Sequence, residues 1–283
     1  MKRLHLCLAV AVATAACAAR TTPSAAPAPA RTAAAAPGEP TALRYVAGTG
    51  RYRYESATHV EQDMMGQVTA TDVSIGALFS VAVAEAEGNL GVAITVDSLA
   101  ISAPMGAPSA ADIAAARGKT LRLVVSPQGR AISMTPPDSA GAAIQQITMG
   151  LRYFLPPLPP AALAAGTTWT DTTSTTTPSA GIPVTVRMTR QHVVAGWEDH
   201  SGTRALHITS TSSYTVTGSG EAQGQSLELS GGGQSSTDAY VSAGGVYLGS
   251  TVNDSALVNA NVVSAGLVVP VRRRTHSTFS RLP

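Results

Sequence analysis

Ile182-Pro183-Val184-Thr185-Val186-Arg187-Met188-Thr189 places an apolar side chain at every even position and, Pro183 aside, a polar one at every odd position. A strand needs this period-2 alternation when one face of its sheet is buried and the other is wet. Leu206, Ile208, Tyr214 and Val216 also fall on even positions, so the two segments read as a hairpin. Its loop is expected at Gly196-Trp197-Glu198-Asp199-His200-Ser201-Gly202, which has turn formers at both ends. Upstream, Leu90, Val92, Ile94 and Val96 share one face, and Leu99 and Ile101 resume out of phase across Asp97-Ser98. One extra residue at that point predicts a bulge. Further strands are predicted near 51–61, 67–86, 119–126, 226–230, 236–252, 256–264 and 267–280, about nine to eleven in all. The fold class is therefore mainly β. A curved antiparallel sheet, half-barrel or barrel-like, is expected over residues 41–283 as one domain, with a β-sandwich as the alternative.

Two segments break the alternation. Ser109-Ala110-Ala111-Asp112 has capping-box spacing and Gly118 supplies a stop, which predicts a short helix near 109–117. From 138 to 155, Ile144, Ile147, Leu151 and Phe154 recur at helical spacing before Pro156 ends the run. That apolar stripe needs a partner, and a curved sheet is the large one available. Leu155-Pro156-Pro157-Leu158-Pro159-Pro160 then reads as a stiff connector, with Gly166 and Trp169 opening the next strand.

Hydrophobic residues make up 44% of the 283 and charged residues 13%, enough apolar matter for a core and too little charge for a self-repelling chain. No run of 18 apolar residues occurs, so no ordinary membrane-spanning helix is expected. An outer-membrane barrel is disfavoured as well, since aromatics are only 4% and aromatic girdles need more. At the N-terminus Met1-Lys2-Arg3 is a short positive region, Leu4 to Ala13 is apolar apart from His5, and Thr14-Ala15-Ala16-Cys17 brings small residues up to a cysteine. This is the layout of a secretion signal, expected over residues 1–16. Residues 18–40 are dominated by Ala, Pro, Thr and Ser, a composition that cannot bury enough surface to fold and reads as a tether. A polyproline-like tether extends roughly 3.1 Å per residue.

The Thr14-Ala15-Ala16-Cys17 pattern resembles the bacterial lipoprotein lipobox, although Thr14 stands where that pattern usually has Leu. The resemblance implies cleavage before Cys17 and acylation of its sulfur, with plain secretion after Ala16 as the alternative. Ala18 stands where an aspartate would imply retention at the inner membrane, so the resemblance implies an outer-membrane anchor facing the periplasm; a secreted or cell-surface protein is the other outcome. Cleavage would remove Cys7 and leave no thiol pair, so no disulfide is expected. It would also remove Lys2 and Arg3, leaving 17 basic against 17 acidic residues. A neutral domain carries no long-range field for nucleic acid, and none is expected as a partner.

A lipoprotein-type signal, a tether, many antiparallel strands and a helix between them together resemble the LolA/LolB/LppX-like group of envelope proteins. In that group a half-barrel sheet with helices across its mouth encloses a greasy cavity. The resemblance covers element order over residues 44–283 and includes no diagnostic motif. It implies that Ile144, Ile147, Leu151 and Phe154 line the lid side of an apolar pocket with Trp169 near its rim; the plainer reading is ordinary core contact.

Catalytic signatures are missing from the sequence: there is no G-x-S-x-G elbow, phosphate loop, H-E-x-x-H or C-x-x-C. His192, Glu198, Asp199, His200 and His207 cluster around the predicted hairpin, but pairing its two apolar sets demands an even sum of opposed numbers. His192 and His207 then point to opposite faces, and neither metal nor cofactor is expected. Arg272, Arg273 and Arg274 with His276 and Arg281 read as charge on an edge strand, or else as a contact for anionic headgroups or an acidic partner. Glu55, Glu61 and Asp63 read as a solvated face. The expectation is a non-catalytic, lipid-anchored envelope protein that binds a lipid or another apolar ligand. The alternatives are an adaptor for another envelope component and a hydrolase with a motif-free site. Labelled palmitate fed to expressing cells is expected to enter the wild-type chain and to be lost from Cys17→Ser; label in both, or in neither, overturns the anchor.

Overall fold

The computed structural model describes residues 42–283 apart from 105–106, 138–140, 160–162, 180–181 and 223. The expected signal, Cys17 and the whole of the tether lie outside the described residues. Eleven strands follow one another: β1 (Gly48–Met64), β2 (Gln67–Ala86), β3 (Asn89–Ser102), β4 (Thr120–Val125), β5 (Ala131–Thr135), β6 (Thr168–Ser179), β7 (Ile182–His200), β8 (Thr203–Ala222), β9 (Gln225–Ser242), β10 (Tyr247–Val262) and β11 (Leu267–Arg281). Two helices interrupt them, α1 (Ala110–Ala116) between β3 and β4 and α2 (Ala142–Leu151) between β5 and β6.

All eleven strands belong to one sheet in the order β5-β4-β3-β2-β1-β11-β10-β9-β8-β7-β6, every neighbouring pair antiparallel. The chain begins mid-sheet, meanders to the β5 edge, and crosses to the β6 edge. It then meanders back until β11 lies against β1. The sheet curls into a half-barrel, the expected architecture. Its curl is visible in the burial: Ile182, Val184, Leu229, Val258, Val262 and Val269 form a buried cluster to which no helix contributes, so the sheet covers that end of its own face.

The predicted bulge stands where the phase changes. Val96 pairs with Phe79 and Ser98 with Leu78, leaving Asp97 as the extra residue, where its carboxylate accepts from the Ser80 hydroxyl at 2.8 Å. α1 has the expected capping box, with the Ser109 hydroxyl accepting from the Asp112 amide and the Asp112 carboxylate accepting from the Ser109 amide. α2 is shorter than its periodicity suggested: Arg152 is the C-cap, and Phe154 follows the helix rather than belonging to it.

Three expectations change. The hairpin loop is only Ser201-Gly202, because β7 runs on to His200 through a bulge between Val194 and Gly196. Segments 226–230 and 236–252 are not separate strands broken at the glycines. β9 runs straight through Gly231, Gly232 and Gly233, and the real turn comes at 243–246. These glycines serve close approach: a Cβ on Gly231 or Gly232 would strike a neighbouring strand's carbonyl, and one on Gly233 would strike the Tyr214 phenol. Finally, the strand carrying Arg272, Arg273 and Arg274 is no edge, since β11 lies between β1 and β10, and the edges are β5, absent from the predicted strands, and β6. Alternation turns Arg273 inward, where its guanidinium, 5% exposed, pairs with the fully buried Asp254 carboxylate. Tyr214 donates to that carboxylate and accepts from Arg273.

Breaking one side of a buried pair strands the other charge, at a cost of about 3–5 kcal/mol, whereas replacing both with apolar groups is often near neutral. Arg273→Met is therefore expected to lower the urea midpoint sharply, and Arg273→Met with Asp254→Leu to restore most of it. Equal loss in both variants would show that the pair itself, and not the unpaired carboxylate, governs stability.

Candidate functional site

The concave face of the sheet is covered by a strap, the described residues of 136–167, in the connection between the β5 edge and the β6 edge. Its apolar side faces the sheet. Ile144, Ile147, Leu151 and Phe154 are buried, and so are Leu155, Leu158 and Leu163, in one cluster with Tyr52, Phe79, Val92, Ile94, Val194, Leu206 and Ile208. Phe154 sits edge-on to Tyr52 at 4.9 Å, Tyr247 at 5.0 Å and Phe279 at 5.7 Å between ring centres. The phenols are tied down by their hydroxyls: Tyr52 donates to the Tyr247 carbonyl and Tyr45 to the Pro156 carbonyl, both at 2.7 Å. Burial pushes the Tyr52 phenol up to about 12 and the Tyr247 phenol higher still. The Leu158 amide donates to the Gln128 carbonyl at 2.8 Å, which pins the proline-rich part of the strap. The four stripe residues and Trp169 are thus brought to one face, as core contacts with the sheet.

Between this apolar cluster and the self-covered one lies a belt of polar side chains, two cross-strand rows deep. The first row runs Trp169, His192, Ser210, Thr237, Val252, Ser277, Ser56 from β6 across to β1, each residue paired with the next. The second runs Asp171, Arg190, Ser212, Ser235, Asp254, Thr275, Thr58. Buried polar groups need partners, and most of these have them: Thr58 and Thr275 share a 3.0 Å bond, and Arg190 lies 3.8 Å from Asp171 with its guanidinium 4.1 Å above the Tyr153 ring. Trp169 Nε1, Thr175 Oγ1 and Ser212 Oγ are buried with no hydrogen-bond partner. Trp169 and Ser212 belong to the two rows, whereas Thr175 lies beyond them, opposite Val186.

Asp171, His192 and Ser210 form a hydrogen-bonded series. His192 Nε2 meets the Asp171 carboxylate at 3.1 Å and Nδ1 meets the Ser210 hydroxyl at 2.7 Å. These are the side-chain types of a nucleophile relay, but their setting is closed. His192 is 1% exposed and stacked on the Trp169 indole at 4.9 Å. Ser210 is buried mid-strand between β7 and β9, where the surrounding amides are occupied by the sheet ladder. An oxyanion hole needs free donors. Burial works to raise the Asp171 carboxyl; the hydrogen bond to His192 and the charge of Arg190 outweigh it and hold the carboxyl below its ordinary range.

His192 and His207 do face opposite ways. His207 lies on the outer face, 2.9 Å from Asp238 and 3.4 Å from Glu198, with the Tyr240 ring stacked against both it and His200. Among the described residues no three His, Cys, Asp or Glu side chains are grouped to hold a metal ion. No family model and no curated protein matches the chain. Among solved structures, a DUF1329 family protein from Desulfovibrio piger overlaps 79% of this chain and 84% of its own at 8% identity. Its TM-score is 0.14, too loose a superposition to bear on this chain.

Sequence reading missed the belt although its signal was present. Ser210 and Ser212 occupy the even, inward series between Ile208 and Tyr214, and Arg190 and His192 interrupt the inward series of β7 in the same way. Polar residues at inward parity on adjacent strands are a buried layer, once the strand order is known.

Asp171 supplies a pH prediction. A carboxyl whose folded value is depressed contributes stability above its unfolded value, about 3.9, and that contribution is lost as pH falls through the lower folded value. The gap in urea midpoint between wild type and Asp171→Asn is therefore expected to stay constant from neutrality to about pH 5 and to shrink below about pH 4. A gap that does not change with pH would show that the carboxylate's charge is not what His192 and Arg190 stabilise.

Proposed function

We propose that this chain is an envelope lipoprotein, anchored through Cys17 at the outer membrane and facing the periplasm, that binds the apolar part of a lipid or similar amphiphile on the concave face of its sheet. The binding place is the one now filled by the strap. One observation carries the reading: the apolar side of the described residues of 136–167 supplies most of the non-strand cover over that end of the sheet, beside Leu43, Tyr45 and Ala116, and it is a connection between two edge strands rather than a strand of the ladder. Such a segment can leave without breaking a single strand pair, exposing an apolar trough that leads to a polar belt. A ligand with a hydrocarbon tail and a polar head matches that sequence of surfaces.

The reading is non-catalytic. A hydrolase reading has the Asp171-His192-Ser210 series in its favour, but burial of Ser210 and the absence of free amides beside it speak against turnover. An adaptor role would call for an exposed flat apolar patch; the exposed large apolar residues Val46, Met65, Val68, Ile132, Leu257, Val263 and Val268 are divided among β2, β5, β10, β11 and segments outside the strands.

Native mass spectrometry of the chain expressed from residue 41 onward is expected to show a co-purified lipid-sized mass that is lost on denaturation. Leu158 is fully buried on the apolar side of the strap, and its truncation to Ala costs about 2–5 kcal/mol of strap docking. Leu158→Ala is therefore expected to take up a fluorescent acyl-chain probe more tightly than wild type. No bound lipid, together with no saturable uptake by either protein, would sink the carrier reading.

A further inference from the structure

The outer face of the sheet carries a hollow of about 600 Å³ at the centre of the β2-β1-β11-β10 region, lined among others by Ala57, His59, Asp72, Arg274, His276 and Asn253. Its cause is one small side chain. Cross-strand pairing sets Ala57 between Ser74 and His276, and the adjoining row sets His59 between Asp72 and Arg274. Rows on one face of a strand lie two residues apart, roughly 7 Å, so the long side chains of His59, Arg274 and His276 stand around a floor that projects no further than a methyl group.

The walls are largely hydrogen-bond donors. Arg274 makes no hydrogen bond or ion pair among the described residues, so its five donors are uncommitted. His276 Nδ1 lies 2.7 Å from the Asn253 amide oxygen, which makes that nitrogen the donor and turns Nε2 outward. His59 is held by Asp72 at 2.7 Å and Glu61 at 3.5 Å. The Asp72 hydrogen bond foremost raises its imidazole above the usual value; desolvation opposes it, and the charges of both carboxylates add to the rise. Ser74 and Ser102 add hydroxyls at the rim. Arg272 projects on the same outer face two residues away, opposite Glu61. The two carboxylates are committed to His59, which leaves Arg274 as the free charge of the hollow.

We propose that this hollow is a binding site for a phosphate group, with the Arg274 guanidinium as its principal contact and the Ser74 and Ser102 hydroxyls as further donors. A planar fork of donors fits a phosphate in bidentate fashion, and a tetrahedral oxyanion has oxygens to spare for the rim hydroxyls. Free phosphate and the phosphodiester of a lipid headgroup share this chemistry, and the site lies on the face opposite the strap, separate from the apolar trough.

The test is a titration of the full-length chain in neutral detergent with inorganic phosphate, with dihexanoyl phosphatidylglycerol below its micelle concentration, and with acetate. Binding is followed through the His276 and His59 imidazole nitrogen shifts. Saturable movement with either phosphate probe is expected, weakened at least ten-fold in Arg274→Gln. It should also be weakened in Ala57→Leu, which fills the floor and leaves every donor in place on a strand that tolerates leucine. Saturation by inorganic phosphate assigns a free anion, and saturation by the lipid alone assigns a headgroup. No saturable shift with either, equal binding of acetate, or binding unchanged in both variants would overturn the site.

Discussion

Asp254 is the constraint around which the interior is organised. Its carboxylate is fully buried on β10, and such a charge is tolerated only if paired and hydrogen-bonded. Arg273 comes from the neighbouring β11, but Tyr214 comes from β8, two strands away. For the phenol to reach across, the intervening strand must have no side chain in its path, and Gly233 is the residue there, with a Cβ excluded by the Tyr214 hydroxyl itself. The adjacent glycines bring the flanking backbones closer than ordinary side chains allow. Curvature, the glycine triplet and the buried pair are thus three aspects of one arrangement. A flat sheet with alanines in β9 would leave Tyr214 short of Asp254, and Arg273 and Asp254 would lose their third partner.

The same curvature divides the concave face. Where the strands curl most, apolar residues of β7 to β11 meet one another and exclude water unaided. Where the half-barrel opens, the inward residues need another cover, and the strap supplies most of it with Phe154 set among three aromatic rings. The two ends therefore differ in kind. One is closed by strands whose backbone bonds would have to break for it to open; the other is closed by side-chain contacts, a few loop hydrogen bonds and a helix with no side-chain cap at its N-terminus. Opening is cheaper at the second end, and that asymmetry, more than any one residue, places the ligand reading beneath the strap.

Local pattern revealed much of this, and nonlocal pairing concealed the rest. The phase change at Asp97 and the capping box at Ser109 depend on a few consecutive residues, and both stand as read. The hairpin register was legible up to Val194 because its parity is carried by apolar residues; beyond it the bulge shifts every partner by one. The glycine triplet of β9 misled because a close approach and a turn have the same local signature, and only the neighbouring strands distinguish them. Strand order was hidden altogether, so an arginine run in the last strand looked like edge protection when β11 is central. The belt was hidden for the same reason: a serine at inward parity is unremarkable alone and becomes a polar layer only when Arg190 and Asp254 are found in the same row. The apolar stripe of Ile144, Ile147 and Leu151 was readable as buried, but its place in the connection between the two edge strands was not.

Arg272, Arg273 and Arg274 show how alternation turns one charge run into two environments. Successive strand residues point to opposite faces, so fixing Arg273 against Asp254 also fixes the direction of both neighbours. Arg274 must project outward beside His59, in the row next to Ala57, and cannot turn inward without pulling Arg273 out of its pair or slipping the β1-β11 register, which would move every side chain of that strand to the wrong face. The buried ion pair therefore does more than satisfy its own charges. It holds an uncommitted guanidinium in a set direction over a hollow, so that less orientational freedom is left to lose when an anion arrives.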